Sequence, residues 1–174
     1  MKTLALLSIC FLLGGIPQNE NIVNTVKDFE LHKYLGKWYE IARFDHKFEK
    51  NLENVTADYS LVKDGKIKVV NTGYNPIKDK ISIANGKAKQ PNLEKPAQLK
   101  VSFFLWFYAD YNILELDTDN YSYALVGSKS DKYLWILSRT PKLNEKIKIH
   151  LLEKAKILGY DTSKLIWVKH AAKE

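Results

Sequence analysis

From Lys37 to Arg139 the chain alternates apolar and polar residues with period two in eight runs, and no other feature narrows the fold so far. The runs are Lys37 to Phe44, Val55 to Lys63, Lys66 to Tyr74, Ile81 to Lys89, Gln98 to Phe103, Tyr111 to Leu116, Tyr121 to Gly127 and Lys132 to Arg139. Period two sends successive side chains to opposite faces, so each run is a strand with one face to bury. The links are made of turn formers: "KDGK" at 63–66 is a tight hairpin turn, "YNPIKDK" a wider one, "QPNLEKPA" a proline-bounded link and "DTDN" another short turn. Neighbours in sequence thus pair in an antiparallel meander. Strands in this number remove their exposed edges by closing into a barrel whose interior holds one small ligand. The faces fit a lined interior: Val55, Ala57, Tyr59 and Leu61 share one face of the second run, Ile67, Val69, Asn71 and Gly73 one face of the third, and Ala84, Gly86 and Ala88 one face of the fourth.

The period changes after Arg139. "PKLNEKIKIHLLEKAKILGY" opens with Pro141 and a cap at Asn144, closes at Gly159 and sets Leu143, Ile147, Leu151, Ala155 and Leu158 along one stripe, which predicts an amphipathic helix outside the sheet. "SKLIWVKH" alternates again and predicts a short strand or arm on the exterior. At the other end, "MKTLALLSICFLLGGIPQ" has one lysine, an apolar run from Leu4 to Leu13 broken only by Ser8, then small residues and a proline. That layout is a secretory leader of about 18 residues, too short to span a bilayer. Residues 1–18 are therefore set apart, 19–33 read as an extended arm or a single helical turn, and 34–174 as the barrel domain with its helix.

Cys10, the only cysteine, lies inside the leader. It is either an apolar residue lost on cleavage or the acylated residue of a lipid anchor. The triplet before it, Leu7-Ser8-Ile9, favours the first, and the expected location is the periplasm or the outer membrane. The net charge of +7 comes from lysines, with arginine only at 43 and 139. Phosphate recognition favours the arginine fork, so the scattered lysines read as a solvated exterior, and export takes the chain away from nucleic acid. Arg43 reads as a surface residue.

Three stretches carry a family resemblance. Gly36-Lys37-Trp38 opens the first strand, "DTDNYSYALV" holds Asp119 and Tyr121 at a turn, and Arg139 ends the eighth strand before the helix. In this order and spacing they resemble the signature regions of lipocalins, over roughly Tyr34 to Val168. "YLGKWYEIARFDHKFE", "VTADYSL", "LKVSFF" and "YLWILSRTP" are similar to the branch containing the bacterial outer-membrane lipocalins and apolipoprotein D. The resemblance implies an all-β, eight-stranded up-and-down barrel with a C-terminal helix outside. It also implies a closed end where Gly36, Trp38, Asp119, Tyr121 and Arg139 gather, with the guanidinium stacked on the indole and Gly36 giving it room.

Alternation together with the resemblance assigns Tyr59, Asn71, Phe103, Tyr111, Trp135 and Leu137 to the cavity lining, with Phe44, Val69 and Val101 beside them. Such walls suit a fatty acid, a lysophospholipid or a similar lipid with its head group at the mouth. The mouth is expected to carry "FFLWFYADY", Phe103 to Tyr111, as an aromatic loop, with His46, Lys47, Phe48 and Lys50 near it. Three readings of that loop stand side by side: contact with a membrane surface, a lid folded over the cavity, and an interface between two copies. No catalytic residue, cofactor or metal is expected. His32, His46, His150 and His170 lack metal spacing and read as surface residues, and Glu40, on the face of Trp38, has no identifiable partner. A carrier of lipid in the cell envelope is the expected function; a lipid-modifying enzyme on the same scaffold is the alternative.

Overall fold

A computed structural model describes residues 24–171 except Phe48, so the stretch expected to be a leader, with Cys10, the start of the expected arm and Phe48 itself lie outside the described residues. The alternating runs form β1 (Gly36–Arg43), β2 (Glu53–Leu61), β3 (Ile67–Asn75), β4 (Lys80–Lys89), β5 (Gln98–Phe104), β6 (Phe107–Leu116), β7 (Tyr123–Gly127) and β8 (Leu134–Ser138). Each is antiparallel to the next, and β1 pairs with both β2 (Gly36↔Tyr59) and β8 (Tyr39↔Ser138), which closes the sheet into an eight-stranded barrel. A short β9 (Ile166–Trp167) lies against the far end of β1 through Ala42↔Trp167.

Two apolar layers hold the barrel. Inside, Trp38, Tyr59, Ile67, Val69, Leu99, Ile113 and Val126 pack together with Phe29 and Tyr34 from below. Tyr34 ends α1 (Leu31–Tyr34), a single helical turn that pushes its ring under the sheet. Outside, α2 (Glu145–Ile157) covers Ile41, Leu114, Leu125 and Ile136 with Leu151 and Ala155, both fully buried. Its first turn is capped by Asn144, whose side chain accepts from Lys146 N at 2.9 Å. Burying one leucine of that stripe is worth about 1.5–3 kcal/mol.

One irregularity rearranges the inward face. The pairing of β1 with β8 shifts register between Glu40 and Ala42, the mark of a β-bulge. Trp38 and Glu40 point into the barrel, but beyond the bulge the parity reverses. Phe44 turns outward and packs on Tyr160 at 6.1 Å between centroids, and Arg43 turns inward with 2% of its surface exposed. Phe44 is thus no part of the lining and Arg43 no surface residue; simple alternation carried past the bulge puts both on the wrong side.

The aromatic segment also differs from the expected loop. Phe104 pairs with Phe107, so β5 and β6 run up to a tight turn at Leu105 and Trp106, with Leu105 at a φ of +50°. Aromatic side chains favour extended backbone, and the strands simply continue through them.

Candidate functional site

The floor joins segments far apart in sequence. Arg139, just after β8, lays its guanidinium 3.8 Å over the Trp38 ring. The same group donates to the carbonyls of Lys37 (2.8 Å), Lys33 and Leu35 (2.9 Å each) and Tyr121 (3.2 Å), while Trp38 Nε1 donates to Tyr34 O at 2.8 Å. A planar fork reaches several acceptors at once while stacking on an indole, which an ammonium cannot do. Gly36 is needed for its backbone: its φ is +91°, whereas a Cβ there would stand at an ordinary 3.5 Å from Arg139 Nη1. Room for the arginine is therefore not the reason for the glycine. Tyr121 joins the floor through its hydroxyl, which accepts from Glu30 N at 2.8 Å. Asp119, by contrast, is exposed; the carboxylate that organises this turn is Asp117, which accepts from the Asn120 and Ser122 amides and the Ser122 hydroxyl.

Above the floor the barrel is hollow. The cavity measures about 750 Å³ and is walled by Val55, Ala57, Ala84, Val101, Phe103 and Leu137, with Tyr59, Asn71, Tyr111 and Trp135 among the polar-tipped residues. Val69 has the inward parity of Asn71 but lies one step lower, buried in the plug of side chains that fills the closed end, so it does not line the hollow. The bottom of the cavity is a chain of phenols: the hydroxyls of Tyr34 and Tyr111 lie 2.7 Å apart and those of Tyr59 and Tyr111 2.8 Å apart. Burial pushes all three well above the ordinary tyrosine value, so they stay neutral and satisfy one another. Asn71 Oδ1 is buried with no hydrogen-bond partner among the described residues.

Two carboxylates enter the upper wall, Glu40 from β1 and Glu49 from the link before β2. Arg43 lies between them, donating to Glu40 Oε1 at 2.8 Å and to the Glu49 carbonyl at 2.7 Å, and Trp135 Nε1 donates to Glu49 Oε2 at 3.3 Å. Burial, with the neighbouring Glu49 charge adding to it and Arg43 opposing it, pushes Glu40 up to about 8. Glu49 is also raised, chiefly by burial, while its bonds to Trp135 and its proximity to Arg43 act the other way. Both shifts favour the uncharged carboxyl, and Arg43 offsets the negative charge that remains, which limits the net charge buried in the wall. His46, expected on the surface, is buried beside this cluster, with Tyr133 stacked on it at 5.1 Å and Trp135 tilted over it at 5.0 Å. Burial, and then the Arg43 charge, lower its pKa. Of the other histidines His32 and His150 are exposed and His170 bonds the Glu40 carbonyl at 2.9 Å. The sequence did hold one signal for the cluster. Arg43 is an arginine in a chain that otherwise uses lysine for its surface.

Residues 29–170 match the lipocalin-like domain. The chain is 46% identical over 169 residues to the outer membrane lipoprotein Blc of Vibrio cholerae, covering 97% of this chain and 99% of that one. It is 42% identical over 125 residues to apolipoprotein D of Rattus norvegicus, covering 67% and 64%. Among solved structures, insecticyanin from the tobacco hornworm Manduca sexta superposes with a TM-score of 0.69 at 22% identity, over 86% of this chain and 85% of that one, a likeness of fold alone.

Proposed function

The chain belongs to the lipocalin family, and on that premise we propose that it holds a single-chain lipid, a fatty acid or lysophospholipid, and carries or stores it in the bacterial cell envelope. The protein is exported and resides in the periplasm or at the outer membrane, in keeping with relatives that are outer membrane lipoproteins. What carries the reading is the hollow itself: about 750 Å³ of mostly apolar space above a sealed floor, within the range of about 300–1,000 Å³ of small-molecule sites. Each methylene buried there contributes about 0.8 kcal/mol. A chain of about 14 methylenes therefore gains roughly 11 kcal/mol, enough to offset much of an association cost of about 4–15 kcal/mol. The acyl tail points toward the Tyr59–Tyr111 phenols and Asn71, and the head group stays at the mouth near Lys129.

A carrier is favoured over a lipid-modifying enzyme because the two carboxylates of the wall are engaged with Arg43 and Trp135. Displacement of a fluorescent fatty-acid probe tests the reading. Saturable binding of one probe per chain, displaced by long-chain fatty acid or lysophospholipid, is expected; failure of the probe to saturate would overturn it.

A further inference from the structure

Half of the large exposed apolar side chains among the described residues are concentrated on two neighbouring hairpins. Ile77, Ile81 and Ile83 belong to the β3–β4 hairpin, and Phe103 through Phe107 form the tip of the β5–β6 hairpin, where Trp106 is 72% exposed. Between them the barrel wall is incompletely knitted. β4 pairs with β3 along its length, from Asn75↔Lys80 to Ile67↔Ala88, yet with β5 only from Lys87↔Ser102 to Lys89↔Lys100. Residues 80–86 thus leave a strand edge facing the aromatic hairpin. The lower end of this seam is stopped by Phe103, whose ring sits where a Cβ on Gly86 would meet it at 2.7 Å. Phe103, Phe104 and Phe107 both line the cavity and reach the exterior, so apolar surface runs unbroken from the hollow to the outside.

We propose that the two hairpin tips and the seam between them form a docking face for an anionic phospholipid bilayer, toward which the cavity opens. Charge selects this occupant. The links at the open end expose Lys47, Lys50, Lys78, Lys129 and Lys132, against exposed carboxylates at Asp45, Asp79 and Asp131. Lysines around an apolar tip keep their ammonium groups at the head-group level while aromatic rings enter the interface. A second copy fits less well, since a two-fold contact would set this cationic rim against itself. The face is independent of the cargo reading, because it would dock whether or not the hollow is filled.

The test uses the full chain carrying Cys10→Ser, so that no lipid on that thiol contributes, recovered after export. Co-sedimentation is measured with vesicles of phosphatidylglycerol mixed with phosphatidylcholine, and with phosphatidylcholine alone. Expected are preference for the anionic vesicles, weakening with salt, and a roughly tenfold loss of partitioning in L105S/W106S and a smaller loss in I77S/I81S. None of these four residues lines the cavity, so affinity for a soluble acyl probe stays at its starting value. Unchanged partitioning in both variants would overturn the proposal, as would a dimer in sedimentation equilibrium that either variant dissociates. If the probe never binds while anionic vesicles are still recognised, the cargo reading falls and this one stands.

Discussion

Arg139 at the floor and Arg43 in the upper wall are both drawn away from bulk water, but their surroundings differ in kind. Arg139 is met by main-chain carbonyls and an indole face, none of which titrates in the ordinary range. Arg43 is met by two carboxyls whose pKa values burial raises and which border the cavity. The floor is therefore a fixed seal, indifferent to pH, whereas the wall is a balanced charge group whose state follows the solution. The same side chain is used in both places because its planar fork stays bonded in several directions while losing water.

Breaking each end separately measures that difference. Arg43→Ala leaves the carboxyl pair with no buried cation and should have the largest effect, a loss of about 3–5 kcal/mol in chemical denaturation. Arg139→Ala removes the stacking and the carbonyl bonds at a half-buried site, and a loss of about 2–3 kcal/mol is expected by the same measurement. A melting curve like that of the native protein would count against the seal. At the cavity, Trp135→Ala removes a wall ring and should weaken acyl-probe binding roughly tenfold; unchanged affinity would remove this residue from the site.

The pH response sharpens the contrast. Glu40 rises from an ordinary 4.5 to about 8 on folding, so between those values the folded chain holds more protons than the unfolded one. Stability is accordingly fully present below the lower value, declines as pH rises, and levels off above the higher one. Glu40→Gln keeps an acceptor for Arg43 without the titration, and should flatten a decline in melting temperature on the order of 5 °C between pH 6 and 9. Parallel curves for the two proteins would show that the wall does not titrate in this window. The smallest effect is expected at the floor turn, where Asp119→Ala should stay within about 0.5 kcal/mol of the native protein while Asp117→Ala loses roughly 1 kcal/mol.

The legible part of this molecule is the part written locally. Alternation located all eight strands, "KDGK" and "DTDN" marked their turns, and Asn144 announced the outer helix, because strand faces, turns and caps depend on residues a few positions apart. At the cavity, alternation read together with the family resemblance put Tyr59, Asn71, Val101 and Leu137 on the inward wall, where they line the hollow, and failed for Phe44, since nothing in "YEIARF" signals a bulge. The buried status of His46 was hidden for a related reason: it is covered by Tyr133 and Trp135, rings supplied from the far side of the chain.

What the sequence determined by itself is a closed meander, since periodicity and turn chemistry are properties of short segments; the arginine and tryptophan at its sealed end followed from the family resemblance of three short motifs. What only the tertiary structure decided is how far up the barrel its own side chains reach, which carboxylates meet Arg43, and where the wall between β4 and β5 comes apart. Those outcomes depend on register and on volumes summed across strands, and no single strand carries that information.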